Sequence, residues 1–197
     1  MKEETKCRHK KFSHYVKLFA VILFLVLSQN LFAAHSFYWD KVKTVSARDS
    51  HFPRTLTYGN HSYVFWEEVD ASTNQIWISE RIYTSTSEYV DKIRFAGPFN
   101  YSGEVPDIYS VAVSSAGTVI VSIASSDEGI YIFSSKDGGV TFNNQLISTS
   151  KEMLGPRVFY SENGRFRLFT SVIQDGEFQL FYSESKDGAS WSSFKKF

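Results

Sequence analysis

The sequence predicts an all-β protein built from repeated four-stranded antiparallel meanders, and three observations predict this fold class. Aromatic residues make up 17% of the 197 residues, and aromatic side chains fit the half-buried surface of a pleated sheet. Short apolar runs are separated by turn residues roughly every 8 to 12 positions, which is typical of antiparallel hairpins. No sustained helical periodicity follows the N-terminal segment, so helices are not expected in the body of the protein.

Three stretches of the chain repeat the same order of elements, beginning at Pro53, Pro106 and Pro156, which are 53 and 50 residues apart. In each stretch an alternating strand follows the proline, then a glycine turn, a second apolar strand, a polar turn and a third strand. A fourth strand after the last turn completes a unit of about fifty residues, the size of one β-propeller blade. We therefore predict about three blades, at about residues 50–100, 101–150 and 151–197 of a domain spanning 37–197.

Residues 1–36 have the order of a secretory signal. A basic region that includes Lys10, Lys11 and Lys17 precedes an apolar run from Leu18 to Leu27, and small residues follow near Ala34. We predict an apolar signal helix that is cleaved near residues 34 to 36, and hence an exported protein that is periplasmic, secreted or on the cell surface. An uncleaved membrane anchor is the alternative, although the 17 residues 18–34 are short for a span of ~20.

Charge and cysteine usage exclude several classes of function. The chain has 21 basic and 21 acidic residues, but the leader is basic and the remainder is mildly acidic without a basic stripe, which argues against nucleic-acid binding. Cys7 is the only cysteine and lies in the leader, so the predicted mature part has no disulfide and no cysteine-based metal site. His51 and His61 lack a carboxylate at metal-ligand spacing, and we predict no metal and no cofactor.

A turn motif follows the third strand of the second and third units. Residues 135–142 fit the pattern S-x-D-x-G-x-T-[FW], and residues 185–191 carry a form that is one residue shorter. We expect the serine and aspartate oxygens to accept backbone N–H groups of the loop, the glycines to adopt positive φ, and the terminal aromatic to pack inward. The motif residues are Ser135, Asp137, Gly139, Thr141 and Phe142 in one unit, and Ser185, Asp187, Gly188 and Trp191 in the next.

With this motif in phase in two units, the chain resembles the Asp-box, or bacterial neuraminidase, repeat family over about residues 50–197. The resemblance implies a sialidase-type propeller of six blades, of which about three are present, with the boxes locking turns on the outer rim. It also implies that sialidase activity requires an arginine triad, an aspartate acid/base and a tyrosine–glutamate pair. The first arginine of that triad normally lies two residues before the proline, where this chain has His51. The main catalytic marker is therefore missing.

The remaining site candidates are weak. Arg54 and Arg157 follow their prolines, where the second unit has Asp107. Glu67, Glu68 and Asp70 form an acidic cluster that could supply a general acid/base pair. We expect that cluster to lie on a solvated loop. Trp66 and Trp77 are candidate platforms for sugar stacking, with burial as the alternative. Tyrosines that could act as nucleophiles are assigned to packing: Tyr58, Tyr63, Tyr101 and Tyr109.

These observations predict an exported, non-catalytic propeller segment for binding glycans or another protein, or for scaffolding. A sialidase-type glycoside hydrolase, or part of one, is the first alternative, and a membrane-anchored surface adhesin is the second. Three blades would leave apolar sheet faces open, which drives association. We therefore expect a fragment of a longer protein, or self-association that covers the open faces.

Overall fold

The computed structural model describes residues 48–84, 89–101, 106–150 and 153–197. The predicted signal segment 1–36 lies outside the described residues. The described residues form twelve β-strands and contain no helix, so no helix in this part of the chain is long and apolar enough to cross a membrane.

The strands form three four-stranded sheets, each an antiparallel meander in sequence order. Sheet 1 consists of β1 (Ser50–Tyr58), β2 (His61–Asp70), β3 (Gln75–Tyr83) and β4 (Tyr89–Asn100). Sheet 2 consists of β5 (Tyr109–Val113), β6 (Val119–Ser125), β7 (Gly129–Ser135) and β8 (Asn143–Ser148). Sheet 3 consists of β9 (Met153–Ser161), β10 (Arg165–Gln174), β11 (Glu177–Ser185) and β12 (Lys195–Lys196). The predicted all-β class and four-stranded antiparallel units are confirmed.

Hydrophobic residues fill the space between successive sheets. One core lies between sheets 1 and 2 and is rich in aromatic side chains, including Tyr63, Phe65 and Tyr109. The second lies between sheets 2 and 3 and is mainly aliphatic, with Ile132 and Leu168 fully buried. Each sheet therefore buries one face against its neighbour, as an antiparallel sheet must in order to be stable. The first strands meet along this stack, because β5 contacts both β1 and β9.

Strand β2 departs from the sequence prediction. It continues through Glu67 and Glu68 to Asp70, whereas the acidic cluster was expected on a solvated loop. Both glutamates are buried, at 0% and 1% exposure, so that expectation is wrong. Successive residues of a strand point to opposite faces, and two adjacent carboxylates on β2 are therefore placed in different environments.

Candidate functional site

A β-bulge near the start of β1 sets the direction of Arg54. The pairing of β1 with β2 shifts register between His51 and Arg54, and Phe52 has a φ of +48°, a left-handed conformation that is costly for a bulky side chain. Sheet 3 repeats the feature, because Gly155 precedes its proline with a φ of +55°. Bulges redirect side chains near functional sites, and here each one precedes a proline–arginine pair.

Residues that directly follow the three repeat prolines meet between the sheets. Arg54 and Arg157 each donate a hydrogen bond from Nη2 to Oδ2 of Asp107, the second at 2.8 Å. The side chains are 32% exposed for Arg54, 53% for Arg157 and 22% for Asp107. Hydrogen bonds between guanidinium and carboxylate are among the stronger ones in proteins. Because each guanidinium has five N–H donors, donors remain on the solvent side of this group.

Glu67 lies buried beside this group and is in its protonated form near neutral pH. Its Oε1 accepts the backbone N–H of Ile108 at 3.0 Å, and Ile108 directly follows Asp107. Burial, with a smaller contribution from the charge of Asp107, raises the pKa of Glu67 to about 8, although the Ile108 N–H and Arg54 act in the opposite direction. Two buried carboxyl oxygens here have no hydrogen-bond partner among the described residues, namely Glu67 Oε2 and Asp107 Oδ1.

Tyr109 holds the bulge of sheet 1 against sheet 2. Its hydroxyl donates to the carbonyl of Phe52 at 2.7 Å, and the guanidinium carbon of Arg54 lies 5.8 Å from the centre of its ring, a cation–π distance. Burial raises the pKa of this phenol above its ordinary value, and the charge of Glu67 adds to the effect. We call Arg54, Glu67, Asp107, Tyr109 and Arg157 the inter-sheet cluster.

Sequence reasoning identified the two arginines of the inter-sheet cluster but missed how they are used. Asp107 was noted only as the residue that replaces arginine in the second unit. The available signal was the shared phase, because residues at the same position of successive units come together where the first strands meet. Glu67 was considered only as part of an acidic cluster on a loop, because nothing in its local sequence shows that β2 continues past Trp66.

The Asp-box loop of sheet 2 is closed by its own side chains. Ser135 Oγ accepts the Gly139 N–H at 2.8 Å and donates to Asp137 Oδ1 at 2.7 Å. Asp137 also accepts the N–H and the hydroxyl of Thr141, at 2.8 and 2.6 Å. The Thr141 hydroxyl is the largest cause of the low pKa of Asp137, which is about 2. The ring of Phe142 stacks on Phe95 of sheet 1 at 4.6 Å between centroids.

The shorter loop of sheet 3 makes a similar set of bonds. Asp187 Oδ1 accepts the N–H groups of Ser190 and Ala189 at 2.8 and 2.9 Å, and these bonds lower the pKa of Asp187 to about 2, the Ser190 bond most strongly. Ser185 Oγ accepts the Gly188 N–H at 2.9 Å. The Trp191 indole N–H donates to the Gly188 carbonyl at 3.2 Å. In both loops the aspartate is occupied by its own turn.

Asp70 is likewise a turn residue in the structure. Its Oδ1 accepts the hydroxyl and the backbone N–H of Ser72, at 2.6 and 3.0 Å, and these bonds lower its pKa, the hydroxyl bond most strongly. A general acid needs a raised pKa, so the geometry and the electrostatics both disfavour Asp70 as a catalyst. It lies at the β2–β3 turn and makes no contact with the inter-sheet cluster in the described structure.

The tryptophan platforms need correction. Trp66 is only 3% exposed, and its indole N–H donates to Glu68 Oε1 at 3.2 Å, so it has no free ring face. Trp77 is half-buried, and the guanidinium carbon of Arg94 lies 3.9 Å from its ring centre. That arginine also binds Glu68 Oε2, at 3.1 Å.

Glu68 itself is held ionised by its partners. Burial raises its pKa, but hydrogen bonds from Arg48, Arg94 and Trp66 outweigh burial and lower the pKa overall. Its neighbour Glu67 shows the opposite shift on the other face of β2. Within the ranges that the structure describes, no group of three or more His, Cys, Asp or Glu side chains is arranged to hold a metal ion.

Comparison with solved structures gives the fold of the described sheets. A candidate exo-beta-1,3-galactanase from Bifidobacterium bifidum superposes with a TM-score of 0.50 at 14% identity, covering 76% of this chain and 51% of that one. The family 117 glycoside hydrolase Zg3597 from Zobellia galactanivorans gives 0.48 at 15% identity, with coverage of 76% and 46%. The GH43 endo-arabinanase from Bacillus licheniformis gives 0.46 at 16% identity, with coverage of 75% and 56%. The chain spans about half the length of these structures.

Comparisons at the level of sequence give no match, either to protein-family models or to curated proteins. The solved neighbours are glycoside hydrolases with a propeller-like fold. At these identities the likeness concerns the fold alone. The described part of the chain therefore consists of four-stranded antiparallel blades of the β-propeller type.

Proposed function

We propose that these blades form a non-catalytic carbohydrate-binding segment of an Asp-box propeller protein, and that the inter-sheet cluster is its binding site. The observation that carries the proposal is the pair of partly exposed guanidiniums, Arg54 and Arg157, held in place by the single carboxylate of Asp107. Arginine suits the recognition of carboxylates because its donors form a planar fork. The two hydrogen-bonded serine–aspartate loops support the assignment to the Asp-box type.

The charge of the cluster favours an acidic sugar. With Glu67 protonated near pH 7, because burial raises its pKa to about 8, two guanidiniums face one carboxylate. The site then carries an excess of positive charge, which favours uronic or sialic acids over neutral sugars. Export through the N-terminal segment belongs to the same proposal, since acidic glycans are found outside cells.

A binding experiment on the full chain tests the proposal. Calorimetric titration with sialyllactose and with glucuronate is expected to show binding that is weaker by about ten-fold in Arg157→Gln, the loss of one charge-assisted contact. Arg165→Gln, at the β9–β10 hairpin of the same sheet, is the matched control and is expected to bind normally. Equal affinity for sialyllactose and lactose would contradict the proposed role of the arginines.

One observation favours a second candidate, glycoside hydrolysis. Glu67 combines a pKa raised to about 8 with a neighbouring carboxylate, Asp107, and a general acid paired with a second carboxylate is what glycosidases use. Its complete burial speaks against it, because a proton donor must reach the glycosidic oxygen. Release of nitrophenol from nitrophenyl glycosides, abolished in Glu67→Gln, would favour hydrolysis over binding.

A further inference from the structure

We propose that a cavity between sheet 1 and the Asp-box loop of sheet 2 binds a small organic anion with an aromatic body. The cavity has a volume of about 310 Å³ and is lined by residues that include Tyr58, His61, Tyr63, Lys136, Gly138 and Val140. A volume of this size suits a ligand of one or two rings. Tyr58 follows Arg54 by four residues along β1, about 13 Å in an extended strand, so the cavity is separate from the inter-sheet cluster.

Two glycines allow aromatic rings to form the walls of the cavity. A Cβ on Gly117, in the β5–β6 turn, would lie 2.6 Å from the ring of Tyr58. A Cβ on Gly138, in the Asp-box loop, would lie 3.4 Å from the hydroxyl of Tyr63. Both glycines have positive φ, which other residues adopt at a cost. Each loop can therefore approach its tyrosine closely because the residue at the contact is a glycine, which has no side chain.

The corresponding loop of sheet 3 has one packing contact in common with the Asp-box loop of sheet 2 but is shorter. A Cβ on Gly188 would meet Ile120 Cδ1 at 2.5 Å, with Phe166 also in contact at 3.5 Å. This loop is one residue shorter and lies directly on aliphatic and aromatic core side chains. The longer loop of sheet 2 makes the matching contact through Gly139, whose Cβ would lie 3.0 Å from Ile82 Cδ1. Its Gly138 in addition stands over Tyr63 and borders the cavity. The same motif thus closes its own turn in both sheets, and the longer loop of sheet 2 also forms a wall of the cavity.

The hydrogen-bonding groups at the mouth of the cavity favour a ligand that carries an acceptor such as a carboxylate. Lys136 and His61 line the cavity and are exposed. Asp137 also lines it, but its two carboxylate oxygens are bonded to Ser135 and Thr141 of its own loop. Glu80 is fully buried and is not part of the lining. Asp137 keeps its negative charge because its partners are neutral, but its oxygens are used by its own loop. The Lys136 ammonium is therefore the charged hydrogen-bond donor that the lining offers to a ligand.

The apolar lining favours an aromatic body over a sugar. Tyrosine rings, Ile82, Val90 and Val140 line the cavity, and aromatic ligands gain from contact with tyrosine rings. A sugar ring would bury several hydroxyl groups, each of which needs a hydrogen-bond partner to avoid a penalty. Tyr58, which is half-buried, is the tyrosine ring that a ligand can reach, because Tyr63 is only 1% exposed.

Titration of the full chain with phenylacetate, followed by calorimetry or by NMR line broadening, tests the proposal. Phenylacetate is expected to bind at least about five-fold more tightly than 2-phenylethanol, which lacks the charge, and than acetate, which lacks the aromatic body. Lys136→Gln is expected to remove the preference for the anion. Lys186→Gln is the matched control, because Lys186 occupies the same motif position in sheet 3, and it is expected to leave binding unchanged.

A variant that blocks the entrance of the cavity tests the proposal without changing a charged residue. Val140 is 59% exposed at the rim, so Val140→Trp is expected to fold normally, as checked by its melting temperature, and to abolish phenylacetate binding. The proposal is overturned if phenylacetate binds Val140→Trp as tightly as the parent protein. It is also overturned if Lys136→Gln and Lys186→Gln weaken binding equally, or if acetate binds more tightly than phenylacetate.

Discussion

The boundary between sheets 1 and 2 and the boundary between sheets 2 and 3 share a plan but differ in chemistry. At each one, the N–H of the residue two positions after the repeat proline donates to a side chain of the preceding sheet. Ile108 donates to Glu67 Oε1 at 3.0 Å, and Val158 donates to Ser110 Oγ at 3.1 Å. The donor therefore lies at the same position in each unit, whereas the acceptor is a carboxyl group at the first boundary and a hydroxyl group at the second. Only the first acceptor titrates, so the two boundaries are expected to respond differently to pH.

The largest expected effect comes from emptying the aromatic core at the first boundary. Phe65 is fully buried there, and Phe65→Ala is expected to lower the free energy of unfolding by about 3–5 kcal/mol because it removes buried contacts and leaves a cavity. Leu168→Ala at the second boundary is expected to cost about 2–5 kcal/mol. Urea denaturation measures both changes, with exposed Thr55→Ala as a control. A loss below about 1 kcal/mol in either variant would contradict the assignment of that core.

The pH dependence of the free energy of unfolding is expected to distinguish the two boundaries most directly. Burial raises the pKa of Glu67 from 4.5 to about 8 in the folded state. The stabilisation of the folded state by protonated Glu67 is therefore complete below about pH 4.5 and is lost as the pH rises through about 8. The free energy of unfolding changes over this range by at most about 1.4 kcal/mol per pH unit. Glu67→Gln keeps an oxygen that can accept from Ile108, and it is expected to flatten this part of the profile.

Denaturant unfolding of both proteins at several pH values between about 5 and 8 measures the difference. Glu68→Gln is the useful contrast, because hydrogen bonds from arginines hold the pKa of Glu68 low and it is already ionised over this range. If Glu67→Gln showed the same slope as the parent protein, another group would have to carry the pH dependence.

Removing the acceptor at the second boundary is expected to have a smaller effect that is independent of pH. Ser110→Ala leaves the Val158 N–H buried without its partner, which costs about 1–3 kcal/mol. The loss is expected to be the same at pH 5 and pH 8 because a hydroxyl does not titrate in this range. Ser115→Ala, at an exposed turn of the same sheet, controls for the loss of a serine hydroxyl in general. A loss that grew between these pH values would contradict the assignment.

The smallest effects are expected in the Asp-box loops. Asp137→Ala and Asp187→Ala each remove hydrogen bonds that hold a turn at the surface, and each is expected to lower the melting temperature by a few degrees. Because both pKa values are lowered to about 2, the stabilisation is present above about pH 4 and is lost as the pH falls through about 2. Thermal melts at pH 7 and pH 2 measure this, and a difference from the parent protein that persisted at pH 2 would contradict it.

Sequence reasoning predicted the sheets well and the site poorly, for physical reasons. The sheets follow from local signals, namely alternation, turn residues and the spacing of Pro53, Pro106 and Pro156, which act over a few residues each. The inter-sheet cluster depends on side chains far apart in sequence, and its central residue, Asp107, looks like an exception to the repeat. The burial of Glu67 is set by sheet 2 packing over β2, which no local pattern of that strand reveals.

The carboxylate of Asp107 can also report changes in the spacing of the blades. Guanidiniums from two different sheets bind the same oxygen atom, so a relative shift of sheet 1 or sheet 3 by little more than an ångström would break one of the bonds. The carbon resonance of this carboxyl group, observed by NMR with isotope-labelled aspartate, is therefore expected to register movement on either side. A single atom would then report whether three blades keep their common alignment.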